Sequence, residues 1–160
     1  MMTDHLISHV RDDASLQQAI DQAVEAVNAE EGSILLVDES THTLNFTVTC
    51  SPFADKLIGL KHPMSEGIVG VSMSFQQAVI ENNTKSDPNY HSGVDQAVGS
   101  DTQSMLVVPL SNQEYEFGVV TAVNCKSHSG FSPDDLERYT EFAQRITDRI
   151  QAIVEGQANV

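Results

Sequence analysis

Two cysteines, six histidines and one closely spaced glycine pair are the residues of this chain whose types could carry chemistry. A phosphate-cradling glycine turn lies between a buried strand and a helix, and needs a third glycine or a Gly-Lys-Ser/Thr ending. Gly67-Ile68-Val69-Gly70 has neither. His5 and His9 stand four apart, the spacing two metal ligands on one helix would need, with Asp4 and Asp12 as the only further ligands near them. At a frayed terminus they are expected to be solvated and to hold no metal. His91 follows the loop Asp87-Pro88-Asn89-Tyr90, where it could touch a ligand or a haem. Cys50 and Cys125 close the apolar runs TLNFTVTC and EFGVVTAVNC, and two thiols are too few for a disulfide scaffold. No Ser-His-Asp set is suggested by spacing.

These groups must be held by a domain of ordinary make-up. With 160 residues and 40% hydrophobic content, the chain can bury one good core and reads as a single domain. Its 23 acidic against 8 basic residues leave a net charge of −15. Such a surface repels phosphate backbones and anionic lipid, so neither nucleic acid nor membrane is an expected partner. The first residues, MMTDHLISHVRDD, lack a basic stretch followed by an apolar one, and no apolar run approaches a membrane span. A cytoplasmic protein with reduced thiols is expected.

Apolar spacing supplies the elements. Leu16, Ala19, Ile20, Ala23, Val24 and Val27 form a helical stripe after Ser15, ended by Glu31-Gly32. SILLVDE and TLNFTVT read as strands joined by the turn Glu39-Ser40-Thr41-His42. Phe53 to Leu60 reads as a short helix, LKHPM as a short strand, and Ser65 as the cap of a helix that turns Ile68, Val71, Ser72 and Phe75 inward. QAVIEN is a strand, followed by a long loop with one helical turn. QSMLVVPL and EYEFGVVTAVNC, joined at Ser111-Asn112-Gln113, are the strongest strands. Ser132-Pro133-Asp134-Asp135 opens the last helix with a cap, a proline in its first turn and two acids at the positive dipole end. Hairpin-grouped strands with helices at both ends predict an α+β domain with an antiparallel sheet.

Four segments, in order, resemble the GAF domain family: GSILLVDE; EGIVGVSMSFQQAVIENNTKSDPNY; GSDTQSMLVVPL; and FGVVTAVNCKSHSGFSPDDLERYTEFAQRI. The resemblance implies a GAF (PAS/profilin-like) fold over residues 15–154, with residues 1–14 as a tail or helical extension and 155–160 as a tail. It implies a six-stranded antiparallel sheet with the terminal helices on one face and a ligand pocket on the other. The glycine pair then belongs to a pocket-wall helix. Ser72, Phe75, Asp87, Tyr90, His91, Ser104 and Asn124 are the expected pocket residues, with Ser74 beside them, and Phe75 is expected to fill part of the pocket.

The resemblance also bears on chemistry. Cyclic-nucleotide-binding relatives carry an Asn-Lys…Phe…Asp-Glu signature; Asn124, Phe131 and Asp135 match it, but Cys125 and Leu136 replace the lysine and the glutamate. Neither cysteine matches a bilin attachment site, so no particular cofactor is implied. Free methionine-R-sulfoxide reductases use pocket cysteines where Val69 and, approximately, Val98 stand here. The expected function is therefore a cytoplasmic small-molecule sensor or regulatory domain without catalysis, with a redox enzyme of that type or an interaction module with a vestigial pocket as alternatives. Leu136, Tyr139, Ala143, Ile146, Ile150 and Ile153 make an a/d seam. It is expected to form a homodimer through Ile146, Ile150 and Ile153, with a signalling protein as a possible further partner.

Overall fold

The period-2 segments of the sequence become one curled antiparallel sheet. A computed structural model describes residues 4–158, so residues 1–3 and 159–160 of the expected tails lie outside it. In chain order the elements are α1 (Asp4–Arg11), α2 (Ala14–Ala26), β1 (Ala29–Asp38), β2 (Thr43–Cys50), α3 (Ala54–Leu57), β3 (Lys61–Pro63), α4 (Gly67–Phe75), β4 (Val79–Glu81), α5 (Gly93–Val98), β5 (Met105–Ser111), β6 (Glu116–Cys125) and α6 (Pro133–Ala158). Six strands pair in the order β3-β2-β1-β6-β5-β4, every pair antiparallel. The α+β fold read from the sequence is the fold observed.

Side chains alternate between two apolar layers. Ile34, Leu36, Leu106, Val108, Leu110, Val120 and Ala122 face α1, α2 and α6. Leu35, Leu44, Phe46, Val107 and Val119 face α3, α4 and α5. A bulge between Ile34 and Leu35 leaves Thr47 on β2 without an opposite residue. Its hydroxyl donates to the Asn45 carbonyl at 2.9 Å, and the phase change lets Phe46 and Val48 face opposite layers.

The ends of the helices are settled by local chemistry. α2 is capped by Asp13, which accepts from the Leu16 amide at 3.0 Å, and not by Ser15. The helix stops at Val27, because Asn28 takes φ 56 and β1 begins at Ala29. Glu31-Gly32, expected to end α2, is therefore inside β1. α6 opens with a reciprocal capping box: the Asp135 amide donates to Ser132 Oγ at 3.1 Å, and the Ser132 amide donates to Asp135 Oδ2 at 2.9 Å. α4 starts after Glu66 with no side-chain cap, so the expected cap at Ser65 is absent.

Two expectations are corrected. Ile146 and Ile150 are both 0% exposed inside the chain's own core and are not free for the expected dimer contact, whereas Ile153, on the same seam of α6, is half-buried against that core. The sheet alone would not cover that length. α1 does, since Leu6, Ile7 and Val10 are buried against the same layer. Residues expected as a tail or extension thus form a packed helix, while its His5 and His9 remain on the exposed side. Phe75 is 71% exposed and fills nothing. The buried face of α4 is Ile68, Val69, Ser72 and Met73, which leaves Phe75 and the half-buried Val71, both expected inward, off that face, and the helix ends at Phe75 with Gln76 at φ 52.

Two stability outcomes follow. Ile150→Ala should cost about 2–5 kcal/mol, as for a fully buried aliphatic chain, whereas Phe75→Ala should change stability by less than about 0.5 kcal/mol; urea unfolding measures both. Asp13 joins α2 to α6, because Arg149 Nη2 lies 2.5 Å from its carboxylate. Burial works against its charge, but Arg149, Ser15 and the Leu16 amide outweigh it and hold the carboxyl at about 2. The contribution of a depressed carboxylate is present above its unfolded pKa and is lost as pH falls through the folded one. Wild type should therefore lose stability between about pH 4 and pH 2. Asp13→Asn should lack this part of the acid slope and be weaker at pH 7 by roughly 1–2 kcal/mol.

Candidate functional site

Between the sheet and the layer of α4 and α5 the chain encloses a cavity of about 60 Å³. Its floor comes from the paired positions Ser33 on β1 and Thr121 on β6. Both hydroxyls are committed: Thr121 Oγ1 accepts from the Ser33 amide at 3.2 Å, and Ser33 Oγ meets Thr49 Oγ1 at 2.7 Å. The walls are apolar, from Phe46, Leu57, Ile68, Val69, Val94 and Met105. A mostly apolar enclosure with a few placed polar groups is the usual build of a small-molecule site.

One carboxylate closes the cavity. Gly99 ends α5 in the left-handed region (φ 77), its N–H on the Asp95 carbonyl at 2.8 Å, and the Ser100 amide shares that carbonyl at 3.1 Å. The chain reverses and returns to the Asp95 side chain. That carboxylate accepts from Ser100 Oγ at 2.6 Å, from Thr102 Oγ1 at 2.7 Å, from the Thr102 amide at 3.0 Å, and from the Tyr90 hydroxyl. Burial alone would raise its pKa, but these donors hold it below the usual carboxylate range. Burial and the same carboxylate push the Tyr90 phenol upward.

Two imidazoles stand on another side. Gly67 has φ 75, and a β-carbon there would lie 2.9 Å from His91 Cβ and 3.4 Å from His62 Nε2. Only glycine lets the start of α4 come this close. His62 is 5% exposed, and its ring meets that of His91 edge-on, with centroids 5.2 Å apart. His62 Nδ1 lies 2.7 Å from the Pro63 carbonyl, which can only accept, so Nδ1 carries the proton. Burial lowers the His62 pKa, and the neighbouring His91 adds to this. His91 Nδ1 is 3.7 Å from Glu66. An outer cleft of about 160 Å³ shares His62, His91 and Val94 with the inner cavity, so the pair stands between them. Glu31 completes the lining. Burial pushes its carboxyl up, and the Ser51 hydroxyl, donating at 3.0 Å, partly offsets this.

Of the residues read from the sequence, Tyr90 and His91 line the cavity. Ser72 is buried but donates to the Gln77 carbonyl at 2.7 Å, finishing α4, and Ser74 and Phe75 are exposed. Asp87 accepts from the Asn89 amide at 2.7 Å and faces Glu81, whose carboxyl it pushes up. Ser104 Oγ accepts from the Cys125 amide at 3.0 Å. Asn124 accepts from the Gln103 amide at 2.7 Å and donates to the Asp101 carbonyl at 3.0 Å. The partial cyclic-nucleotide signature is thus absorbed by structure: Asn124 ties a loop, Asp135 caps α6, and Phe131 is buried with its amide on Asn82 Oδ1 at 2.8 Å.

Sequence reasoning missed Glu31, His62 and Asp95. Glu31 alternates with Ser33 and Leu35 on β1, a period-2 signal hidden once Glu31-Gly32 is read as a helix end. Asp95 precedes Gly99-Ser100 by the spacing of a short capped helix. Nothing local marks His62. Val69 lines the cavity and Val98 is buried in the adjoining apolar layer, where a reductase would need thiols. Cys50 and Cys125 pack on the opposite, helix-covered side. Among the described residues no cluster of three metal-ligating side chains occurs, and no helix is long and apolar enough to cross a membrane.

Solved structures of the same shape include GAF domains of larger proteins and a free methionine-R-sulfoxide reductase. The GAF domain of a phosphoenolpyruvate-protein phosphotransferase (ptsP) from Coxiella burnetii superposes with a TM-score of 0.77 at 17% identity, over 98% of this chain and 94% of that one. A free methionine-R-sulfoxide reductase from Neisseria meningitidis, solved with its substrate, gives 0.73 at 21% identity, over 94% and 87%. The second GAF domain of DevS from Mycobacterium smegmatis gives 0.72 at 14% identity, over 90% and 96%. At these identities the likeness speaks for the fold. The sequence model of the GAF domain matches residues 13–151. With nearly the whole chain matched in sequence pattern and in shape, the chain belongs to the GAF domain family.

Proposed function

We propose that this GAF domain is a small-molecule sensor or regulatory module, acting in signalling and without catalysis of its own. The observation that carries this reading is the enclosed cavity whose lid is fastened by Asp95 and whose lining holds no thiol. A reductase of the type solved from Neisseria meningitidis acts on free methionine sulfoxide. Such chemistry needs an activated thiolate at the substrate. Here Val69 occupies the wall, and burial pushes the Cys50 thiol up, away from the reactive form.

A route for the signal is built into the floor. The Thr121 side chain lines the cavity, while its carbonyl accepts from the Tyr139 hydroxyl on α6 at 2.6 Å. Tyr139 is fully buried. A ligand that shifts Thr121 would therefore act directly on the longest helix, whose far end a partner or second subunit can read. Ile146 and Ile150 being internal, any contact between copies would use other surfaces.

Two measurements test this reading. Purified protein supplied with a thioredoxin system should not turn over free methionine sulfoxide, and Cys50→Ser with Cys125→Ser should remain folded; turnover that vanishes in the double variant would make the chain an enzyme. Asp95→Asn should release the lid. Losing hydrogen bonds to a charged group costs roughly 1.5–3 kcal/mol, so amide exchange at Thr102 should speed up by at least about tenfold while the β1–β6 amides stay protected. Unchanged exchange at Thr102 would remove the lid from the account.

A further inference from the structure

We infer that the cavity, on the reading of it as a small-molecule site, takes a compact ligand that carries a hydrogen-bond-donating cationic group, an amine in the first instance, on an apolar body. The inference comes from counting which polar groups of the lining are still open. Tyr90, Ser100 and Thr102 all spend their hydroxyl protons on Asp95, whose two oxygens thereby take four donors. Thr49 donates to the Gly32 carbonyl at 3.2 Å, so the Ser33 hydroxyl donates to Thr49, and Thr121 turns back on Ser33. His91 meets Glu66 through Nδ1, and among the described residues no hydrogen bond holds its Nε2. Two acceptors remain beside it. One is the Glu31 carboxylate, which has the Ser51 hydroxyl on Oε1 and, among the described residues, no cation within ion-pair distance. The other is His62 Nε2, left without a proton because Nδ1 donates to Pro63, and with no hydrogen-bond partner among the described residues.

Charge points the same way. Neither lysine nor arginine lines the cavity, whereas Glu31 and Asp95 both do. Glu31 is half-buried, and a carboxylate partly withdrawn from water with no counter-ion is costly to keep charged; a ligand ammonium would relieve that cost where a second anion would add to it. Phe46, Leu57, Ile68, Val69 and Met105 offer the ligand's body only apolar surface. The competing donors are the first-turn amides of α4 at Gly67, Ile68 and Val69, which would favour a carboxylate instead.

Three probes of one size separate these possibilities: n-butylammonium, butyrate and n-butanol, titrated into 15N-labelled full chain and followed at the amides of Gly67, Val69, Val94 and Thr121. The expected result is saturable shifts at these amides with butylammonium, at least tenfold weaker binding of the other two, and at least tenfold loss of butylammonium affinity in Glu31→Gln. Glutamine keeps an acceptor for Ser51, and the variant's own spectrum reports whether it folds; should it not, the ranking of probes on wild type decides alone. Butyrate or butanol binding as tightly as butylammonium would overturn the assigned class while leaving the cavity a binding site. No shift at these amides with any probe would overturn the class and the binding-site reading together.

Discussion

The β1–β6 pairing is the constraint on which the rest of this domain depends. The two strands lie side by side in the middle of the sheet, buried on both faces, and each contributes alternate residues to two separate layers. Their approach is close enough that a β-carbon on Gly118 would lie 1.9 Å from the Leu35 carbonyl oxygen. No side chain fits there without displacing backbone, so this glycine is required by the pairing itself. On one side the pair carries the helical layer of α1, α2 and α6. On the other it presents Ser33 and Thr121 as a floor whose hydroxyls are already satisfied. A sheet that must be apolar on both sides can carry those polar groups only because they bond to each other and to Thr49.

The cavity above that floor is held open by an imbalance of packing chemistry. α4 contributes Ile68, Val69 and Met73 to the apolar layer, but Gly67 gives up its side chain to the His62–His91 pair. α5 is a short helix that could not hold itself in place. It is fastened by the Asp95 carboxylate, which draws Tyr90 and Thr102 in from either side. Fixed walls, a fastened lid and unspent acceptors at Glu31 and His62 are the features on which the proposal of a ligand site rests. In keeping with the strongly acidic composition, neither lysine nor arginine lines that pocket.

Most of the fold was legible in the sequence because it rests on periodicities that do not depend on distant partners. The hairpin turn at Glu39–His42, the alternating strands β5 and β6, and the cap at Ser132 are each decided within a few residues. The errors share a physical cause, which is tertiary cover that periodicity cannot show. The stripe through Ile146 and Ile150 reads as a dimer seam in the sequence, because periodicity does not show that the helical extension α1 packs against the same layer. Phe75 lies off the face of α4 that the fold buries, which runs through Ile68, Val69, Ser72 and Met73, and stands at the helix end. The site was less legible than the fold. Tyr90 and His91 came from their loop, but Glu31, His62 and Asp95 belong to three different elements and meet only after folding. Ser104 and Asn124, polar residues near the right strands, proved to be spent on backbone hydrogen bonds.

The central claim is that the cavity between α4, α5 and the sheet holds a small molecule, and native mass spectrometry of freshly purified protein tests it most directly. Wild type should carry an added mass that is released on denaturation. Val69→Trp, which fills the wall while leaving the lid and floor hydrogen bonds in place, should lose it and remain folded. Bare wild-type protein that also gains no mass when incubated with a cell extract's small-molecule fraction, or an added mass retained equally by a folded Val69→Trp variant, would contradict the account.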